Sequence, residues 1–137
     1  MPETQACVFC SIVDGRLPTF KVYEDEEYLA FLDIRPLNPG HTLVVPKLHY
    51  KWTYEVPRYG EYFEVVKKVG LAILSALGAE SFSVVTLGHE IPHAHVWIVP
   101  RFPNDGHGGV IDWHNVKDIS REGMELIAAK IKEGLGQ

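Results

Sequence analysis

The chain has 137 residues, enough for one domain with a real core, and a single domain over 1–137 is expected. Apolar residues make up 46%, and no run approaches the roughly 20 residues of a membrane helix, so no membrane partner is expected. Thirteen basic against 18 acidic residues leave a net charge of −5, which argues against nucleic acid but not against a small phosphorylated ligand that needs only local donors. Residues 1–6 lack the charged-then-apolar pattern of a secretory signal, so a cytoplasmic location is the expectation.

In chain order, 10–13 reads as a short helical turn closed by Asp14-Gly15. Residues 20–24 and 28–32 read as two strands around the acidic turn at Glu24 to Glu27, the pattern of a hairpin. Pro36 and Pro39 forbid a helix in the stretch after Asp33. Residues 41–45 form a buried strand stopped by Pro46. Over 57–77, Tyr62, Phe63, Val66, Val69, Ile73, Leu74 and Leu77 recur at three- and four-residue spacing, which predicts a long helix with one buried stripe and a stop at Gly78. Residues 81–87 and 93–99 are the last strands, and 103–109 is a loop. Ser120 caps a final helix ending near Glu133. The order predicts an α+β domain: a mainly antiparallel five-stranded sheet, a long helix and a C-terminal helix, with the helices on one side.

Cys7 and Cys10 are the two cysteines. In a reducing compartment a disulfide is disfavoured, which leaves a zinc half-site, a redox pair or two ordinary thiols. The segment His93-Ala94-His95-Val96-Trp97 is the most informative. On a strand it puts His93, His95 and Trp97 on one face and Ala94, Val96 and Ile98 on the other, with the imidazoles about 6–7 Å apart. A neutral imidazole can attack phosphorus if its other nitrogen is held, which makes His95 the candidate nucleophile. His93 can orient His95 or bind a metal, and His41, at the start of another strand, can support His93 by hydrogen bonding. His49 completes a Cys2His2 set with Cys7, Cys10 and His93, ligands that suit zinc. Asp33 is placed to accept ribose hydroxyls, and Phe9, Phe31 and Ile34 to wall a flat base. The turn Gly88-His89-Glu90 can offer backbone N–H groups to phosphate.

Together these residues resemble the histidine triad (HIT) superfamily. The resemblance runs from Cys7 to about Arg101 and rests on Cys-Val-Phe-Cys at 7–10, Phe-Leu-Asp-Ile at 31–34, Pro-Leu-Asn-Pro-Gly-His-Thr-Leu-Val-Val-Pro-Lys at 36–47, His49, and Pro-His-Ala-His-Val-Trp-Ile-Val-Pro-Arg at 92–101. It implies hydrolysis or transfer at the α-phosphate of nucleotides or dinucleoside polyphosphates through a nucleotidyl-histidine intermediate. It implies catalytic roles for His95 and its neighbour His93, support from His41, ribose binding by Asp33 and a base pocket of Phe9, Phe31 and Ile34. It further implies a structural zinc on Cys7, Cys10, His49 and His93, and a homodimer joined through the long helix and a sheet edge. Val65, Leu71 and Ala72, outside the single stripe, are compatible with that dimer.

Two departures from the family pattern stand out. Trp97 occupies the position of the third histidine, and an indole donates one N–H but cannot shuttle a proton. Loss of a general acid is typically worth about 10²–10⁴ in rate, felt most by leaving groups that need protonation, such as amines. His89 stands where many members carry Gln, after a shortened loop, Thr86-Leu87-Gly88; the expectation is that His89 supplies the missing protonatable group. Two other classes are weighed beside the enzyme: a nucleotide-binding protein with little or no turnover, and a redox or metal protein centred on Cys7 and Cys10.

Overall fold

The structure, a computed structural model, describes residues 7–137. The reading of residues 1–6 lies outside them. Five strands form one sheet: β1 (Lys21–Glu24), β2 (Tyr28–Leu32), β3 (Thr42–Pro46), β4 (Ser81–Val85) and β5 (Val96–Arg101). They are ordered β1-β2-β3-β5-β4, and every neighbouring pair is antiparallel. Among the described residues, three α-helices accompany the sheet: α1 (Val8–Val13), α2 (Tyr59–Leu77) and α3 (Arg121–Gly134). The expected α+β architecture with a long and a C-terminal helix is what forms.

Strand alternation divides the apolar residues between two faces. Ala30, Leu32, Val44, Val96 and Ile98 face α2 and α3, where they meet Tyr62, Val66, Val69, Ile73, Met124, Ala128 and Ile131. Tyr62 is fully buried and its hydroxyl donates to the Val44 carbonyl at 2.7 Å, so the one polar atom it carries into this core is satisfied. Leu29, Phe31, Leu43 and Val45 point the other way and pack on Cys7, Phe9 and Cys10 of the α1 region. The expectation of helices on one side therefore holds for α2 and α3 only. A one-turn-and-a-half helix closes the opposite face, because Phe9 and the two cysteines are its apolar side.

Helix ends follow local chemistry. Gly78 closes α2 in the left-handed region at φ +66°. Ser120 Oγ accepts from Gly123 N at 3.0 Å and starts α3. Gly40 sits at φ +89°, and a Cβ there would come within 2.5 Å of Leu77, so both its backbone and its neighbour require glycine.

The main correction to the sequence reading concerns the last strand. It begins at Val96, not at residue 93, and runs on to Arg101. His93 N donates to Ile91 O at 2.8 Å and Ala94 N to Tyr50 O at 2.6 Å, so 93–95 is tied to local turns and to the 50–55 segment instead of to the ladder. The two histidines stand at the mouth of the sheet rather than on its flat. Shorter adjustments are that α1 starts at Val8, α2 at Tyr59 after Arg58 in the left-handed region, and β4 stops at Val85.

Candidate active site and metal centre

His93 is fully buried and both its ring nitrogens are engaged. Its Nε2 lies 2.8 Å from the Pro46 carbonyl. A carbonyl can only accept, so Nε2 carries the proton and Nδ1 keeps its lone pair. That lone pair faces Cys7 Sγ at 3.3 Å and Cys10 Sγ at 3.4 Å. His49 Nδ1 lies 3.2 Å from Cys10 Sγ. One ligand atom from each of Cys7, Cys10, His49 and His93 can be chosen so that all lie within 4.8 Å of one another. Zinc–sulfur bonds of about 2.3 Å and zinc–nitrogen bonds of about 2.0 Å in a tetrahedron need sulfur–nitrogen edges of roughly 3.5 Å, so this set fits such an ion. Burial, with the Cys7 sulfur beside it, pushes the Cys10 thiol up to about 12, and burial lowers His93 to about 4. The Cys10 thiol, raised this far, ionises only beside a cation, whereas His93 is already the neutral ligand a metal wants.

The backbone that holds His93 also holds His95. His95 Nδ1–H donates to the His93 carbonyl at 2.8 Å, which fixes the tautomer and leaves Nε2 unprotonated. Burial lowers the pKa of His95, so the ring is neutral at ordinary pH. Thr86 Oγ1 donates to the His95 carbonyl at 2.8 Å, and the Phe9 ring meets the imidazole edge-to-face at 5.2 Å. His95 is thus clamped from its ring, its backbone and its flank. It is not sealed: with Lys51, Trp52, Thr53, Tyr54, Thr86, Leu87, Gly88, His89 and Ala94 it lines an open cleft of about 240 Å³.

His41 does not reach His93. Its Nδ1 accepts from Leu37 N at 3.1 Å, and its ring packs on Trp97 with centroids 5.0 Å apart. The expected hydrogen-bonding support of His93 comes instead from Pro46. His41 Nε2 is buried without a hydrogen-bond partner and points at Asp33 Oδ2, 3.6 Å away. Burial lowers His41 to about 3 and raises Asp33, so the contact is a neutral imidazole N–H facing a carboxylate rather than an ion pair. Asp33 Oδ1 meanwhile accepts from Arg35 N at 2.8 Å.

Phe9 and Phe31 meet edge-to-face at 5.6 Å beneath this face of the sheet. Ile34 stands apart on the surface, 77% exposed. Gly88 and His89 line the same cleft as Trp52 and lie against it, with the His89 ring 5.3 Å from the indole. Trp97 is wedged between His41 and Trp113, whose ring centroid is 5.6 Å away.

Trp113 lies between the loop expected over 103–109 and the helix capped by Ser120, in a stretch for which the residue pattern predicts no element. Asp105 anchors it, accepting from Asn38 Nδ2 at 2.9 Å, Arg101 Nε at 2.9 Å, Phe102 N at 3.1 Å and His107 N at 3.0 Å. The Arg101 guanidinium, first among these, holds the Asp105 carboxyl well below its usual range. Lys117 Nζ and His107 Nε2 both donate to the Leu37 carbonyl, at 2.9 Å each, and strap the loop to the segment before His41. The clue in the sequence was the asparagine, aspartate and histidine of 104–107, but their partners lie at distant positions.

Comparison with known proteins bears on this arrangement. Residues 14–104 match the HIT domain family model. The chain belongs to the HIT family. A HIT-like protein of Methanocaldococcus jannaschii is 42% identical over 120 residues, covering 82% of this chain and 91% of the relative. A fission yeast (Schizosaccharomyces pombe) relative named adenosine 5′-monophosphoramidase is 35% identical over 138 residues, covering 93% and 99%. Among solved structures, a zinc-bound HIT family protein from Mycobacterium smegmatis superposes with TM-score 0.74 at 31% identity, covering 98% of this chain and 96% of its own. Membership in the HIT family accords with the α+β architecture and with the resemblance drawn from residues 7–101. Among the described residues, no helix is long and apolar enough to cross a membrane.

Proposed function

We propose that the chain is a nucleotide hydrolase or nucleotidyl transferase acting at an α-phosphate, with His95 as nucleophile. One observation carries this reading: a neutral imidazole whose Nδ1–H is spent on the His93 carbonyl, leaving Nε2 free beside an open cleft. In the first step the Nε2 lone pair attacks phosphorus, an N–P bond forms, and the P–O bond to the leaving group breaks with its electron pair on that oxygen. In the second step water or another acceptor attacks phosphorus, the N–P bond breaks, and the imidazole regains its lone pair.

His93 acts as a positioning residue, since its carbonyl sets the tautomer of His95. Zinc on Cys7, Cys10, His49 and His93 would cross-link α1 to the segment carrying that carbonyl and add no chemistry of its own, all four positions being protein ligands. Asp33 and His41 receive the ribose: a hydroxyl there can donate to the carboxylate and accept from the orphaned His41 Nε2–H. Phe9 and Phe31 back the base, with the exposed Ile34 as its outer wall. His89, which shares the cleft with His95, takes the proton-donating role that Trp97 cannot fill, with Gly88 offering its backbone to phosphate. The name of the yeast relative supports hydrolysis at a nucleoside phosphate. Paired free thiols at Cys7 and Cys10 suit a reducing compartment such as the cytoplasm.

A homodimer belongs to this reading. Val65 and Ala72 pack on the chain's own core, which leaves Leu71 on α2 and Val84 on the edge strand β4 as the apolar groups available to a second copy. Light scattering at micromolar concentration should give twice the chain mass; a monomer mass contradicts it.

A second reading, nucleotide binding with little or no turnover, is favoured by Trp97 alone. Calorimetry with a nucleoside monophosphate, combined with a hydrolysis panel, separates the two: tight binding with no product from any substrate selects the binding protein, and release of monophosphate selects the enzyme.

A further inference from the structure

The loop after β5 reaches His41 by two separate routes. The first runs through the backbone. Leu37 N donates to His41 Nδ1 at 3.1 Å, and the Leu37 carbonyl accepts from His107 Nε2 and Lys117 Nζ at 2.9 Å each. A carbonyl oxygen has two lone pairs, so the loop takes both. The second route runs through aromatic rings. His107 Nδ1 accepts from Asp112 N at 3.0 Å, which seats the next residue, Trp113, against Trp97 with ring centroids 5.6 Å apart. Trp97 in turn meets the His41 ring edge-to-face at 5.0 Å. The contacts close on themselves, from His41 through Leu37, His107, Trp113 and Trp97 back to His41. Ile111, buried in one cluster with Leu37 and Val99, gives the loop an apolar anchor of its own.

We propose that residues 105–117 brace His41, with Trp113, His107 and Lys117 as positioning residues that hold its Nε2–H apart from Asp33 and so leave room for a ribose hydroxyl between the two. The proposal rests on the reading of Asp33 and His41 as the ribose site and deepens it. The gap itself calls for a brace: His41 Nε2 stands 3.6 Å from Asp33 Oδ2. N–H···O bonds form at about 2.7–3.2 Å. A buried N–H without a partner, this near a carboxylate oxygen, would gain free energy by tilting about half an ångström and making the bond. The single hydrogen bond from Leu37 N sets the tautomer but leaves the ring free to pivot about Nδ1. Trp97 on its flank removes that freedom, and Trp113 backs Trp97. Holding a binding group within about 0.5 Å of its working geometry takes support of this kind from residues that never touch the ligand. The indole at position 97, larger than an imidazole, reaches from His41 to Trp113, which gives the departure from the family's histidine a structural use. None of the three positioning residues falls within 14–104, the stretch that matches the HIT domain.

The test reads the His41 ring N–H by NMR in the isotope-labelled, ligand-free protein, with the signal assigned by its loss in His41→Gln. The wild type should show a slowly exchanging N–H. Trp113→Ala should let the ring swing onto Asp33 and move that signal downfield, as a charge-assisted hydrogen bond requires. Trp113→Phe should bring it most of the way back. Trp113 is 45% exposed, so the alanine protein should fold, and Lys117→Met cuts the brace independently with the same expected shift. A signal that stays in place in both Trp113→Ala and Lys117→Met, or that is lost to solvent exchange in the wild type, overturns the brace. Calorimetry keeps it apart from the ribose reading. The wild type should bind adenosine monophosphate about tenfold more tightly than its 2′,3′-dideoxy analogue, the scale of one hydrogen bond to a charged group. Asp33→Asn should abolish that preference and Trp113→Ala should remove most of it. A preference lost in Asp33→Asn but intact in Trp113→Ala overturns the brace and leaves the ribose site standing. No preference in the wild type ends the ribose reading, and the holding of His41 is then decided by the N–H signal alone.

Discussion

The two faces of the sheet use the same strands for opposite ends. Toward α2 and α3, the side chains are mostly aliphatic or aromatic; the Tyr62 hydroxyl is satisfied by the Val44 carbonyl, and the Tyr28 hydroxyl is buried without a partner. Toward α1, the same strands and their flanks carry two cysteines, three buried histidines and an orphaned N–H at His41. A face built for stability alone would not bury such groups, because each costs free energy unless something pairs with it. The helix face therefore sets the geometry, and the α1 face gathers the groups to which the proposed chemistry is assigned.

Substitutions on each face should break this contrast in opposite ways. The largest effect is expected at His95: His95→Ala should lower turnover by at least about 10³ while leaving the thermal midpoint close to wild type. Steady-state kinetics and calorimetry on the same sample check both halves. On the helix face, Ile73→Ala should cost about 2–5 kcal/mol of stability through the cavity it leaves, with KM unchanged. Urea unfolding measures it; a shift in KM instead would show that the two faces are not separable.

The metal centre gives an intermediate case. Cys10→Ser should remove bound zinc, read as one ion per chain by elemental analysis of the wild type, and lower the unfolding midpoint. It should lower turnover as well, because the His93 carbonyl that fixes His95 loses its anchor.

The smallest effect is a pH dependence. His41 is held near 3 in the folded chain, against about 6.5 when unfolded. Between those values the unfolded chain binds a proton that the folded one refuses. Stability therefore falls as pH drops below about 6.5, by as much as roughly 1.4 kcal/mol per unit from this group, and levels off near 3. Urea midpoints at pH 7 and pH 5 should differ more for the wild type than for His41→Gln, and parallel slopes would remove His41 from the account.

Much of this was legible in the residue order. The α2 stripe, the Ser120 cap and the Gly78 stop follow from side-chain periodicity and backbone chemistry. Cys7, Cys10, His49 and His93 could be grouped as candidate ligands because few residue types serve a buried metal. What could not be seen is equally physical. The strand over 93–99 was read from apolar alternation, but Ala94 and His93 give their amides to Tyr50 and Ile91, so the ladder starts at Val96. His41 was paired with His93 by analogy of type, whereas Leu37 N claims its Nδ1 and turns the ring to Asp33 and Trp97. Asp105 gathers Asn38, Arg101 and His107, and the turn at Thr53–Glu55 has no periodic signature at all.

The most direct test of the central claim is to quench a reaction with a nucleotide substrate within one turnover and map the product by mass spectrometry. The account predicts a nucleoside monophosphate group on His95 and on no other residue, absent from the His95→Ala protein. Turnover that proceeds with no adduct on His95, or that survives the alanine substitution, would contradict it.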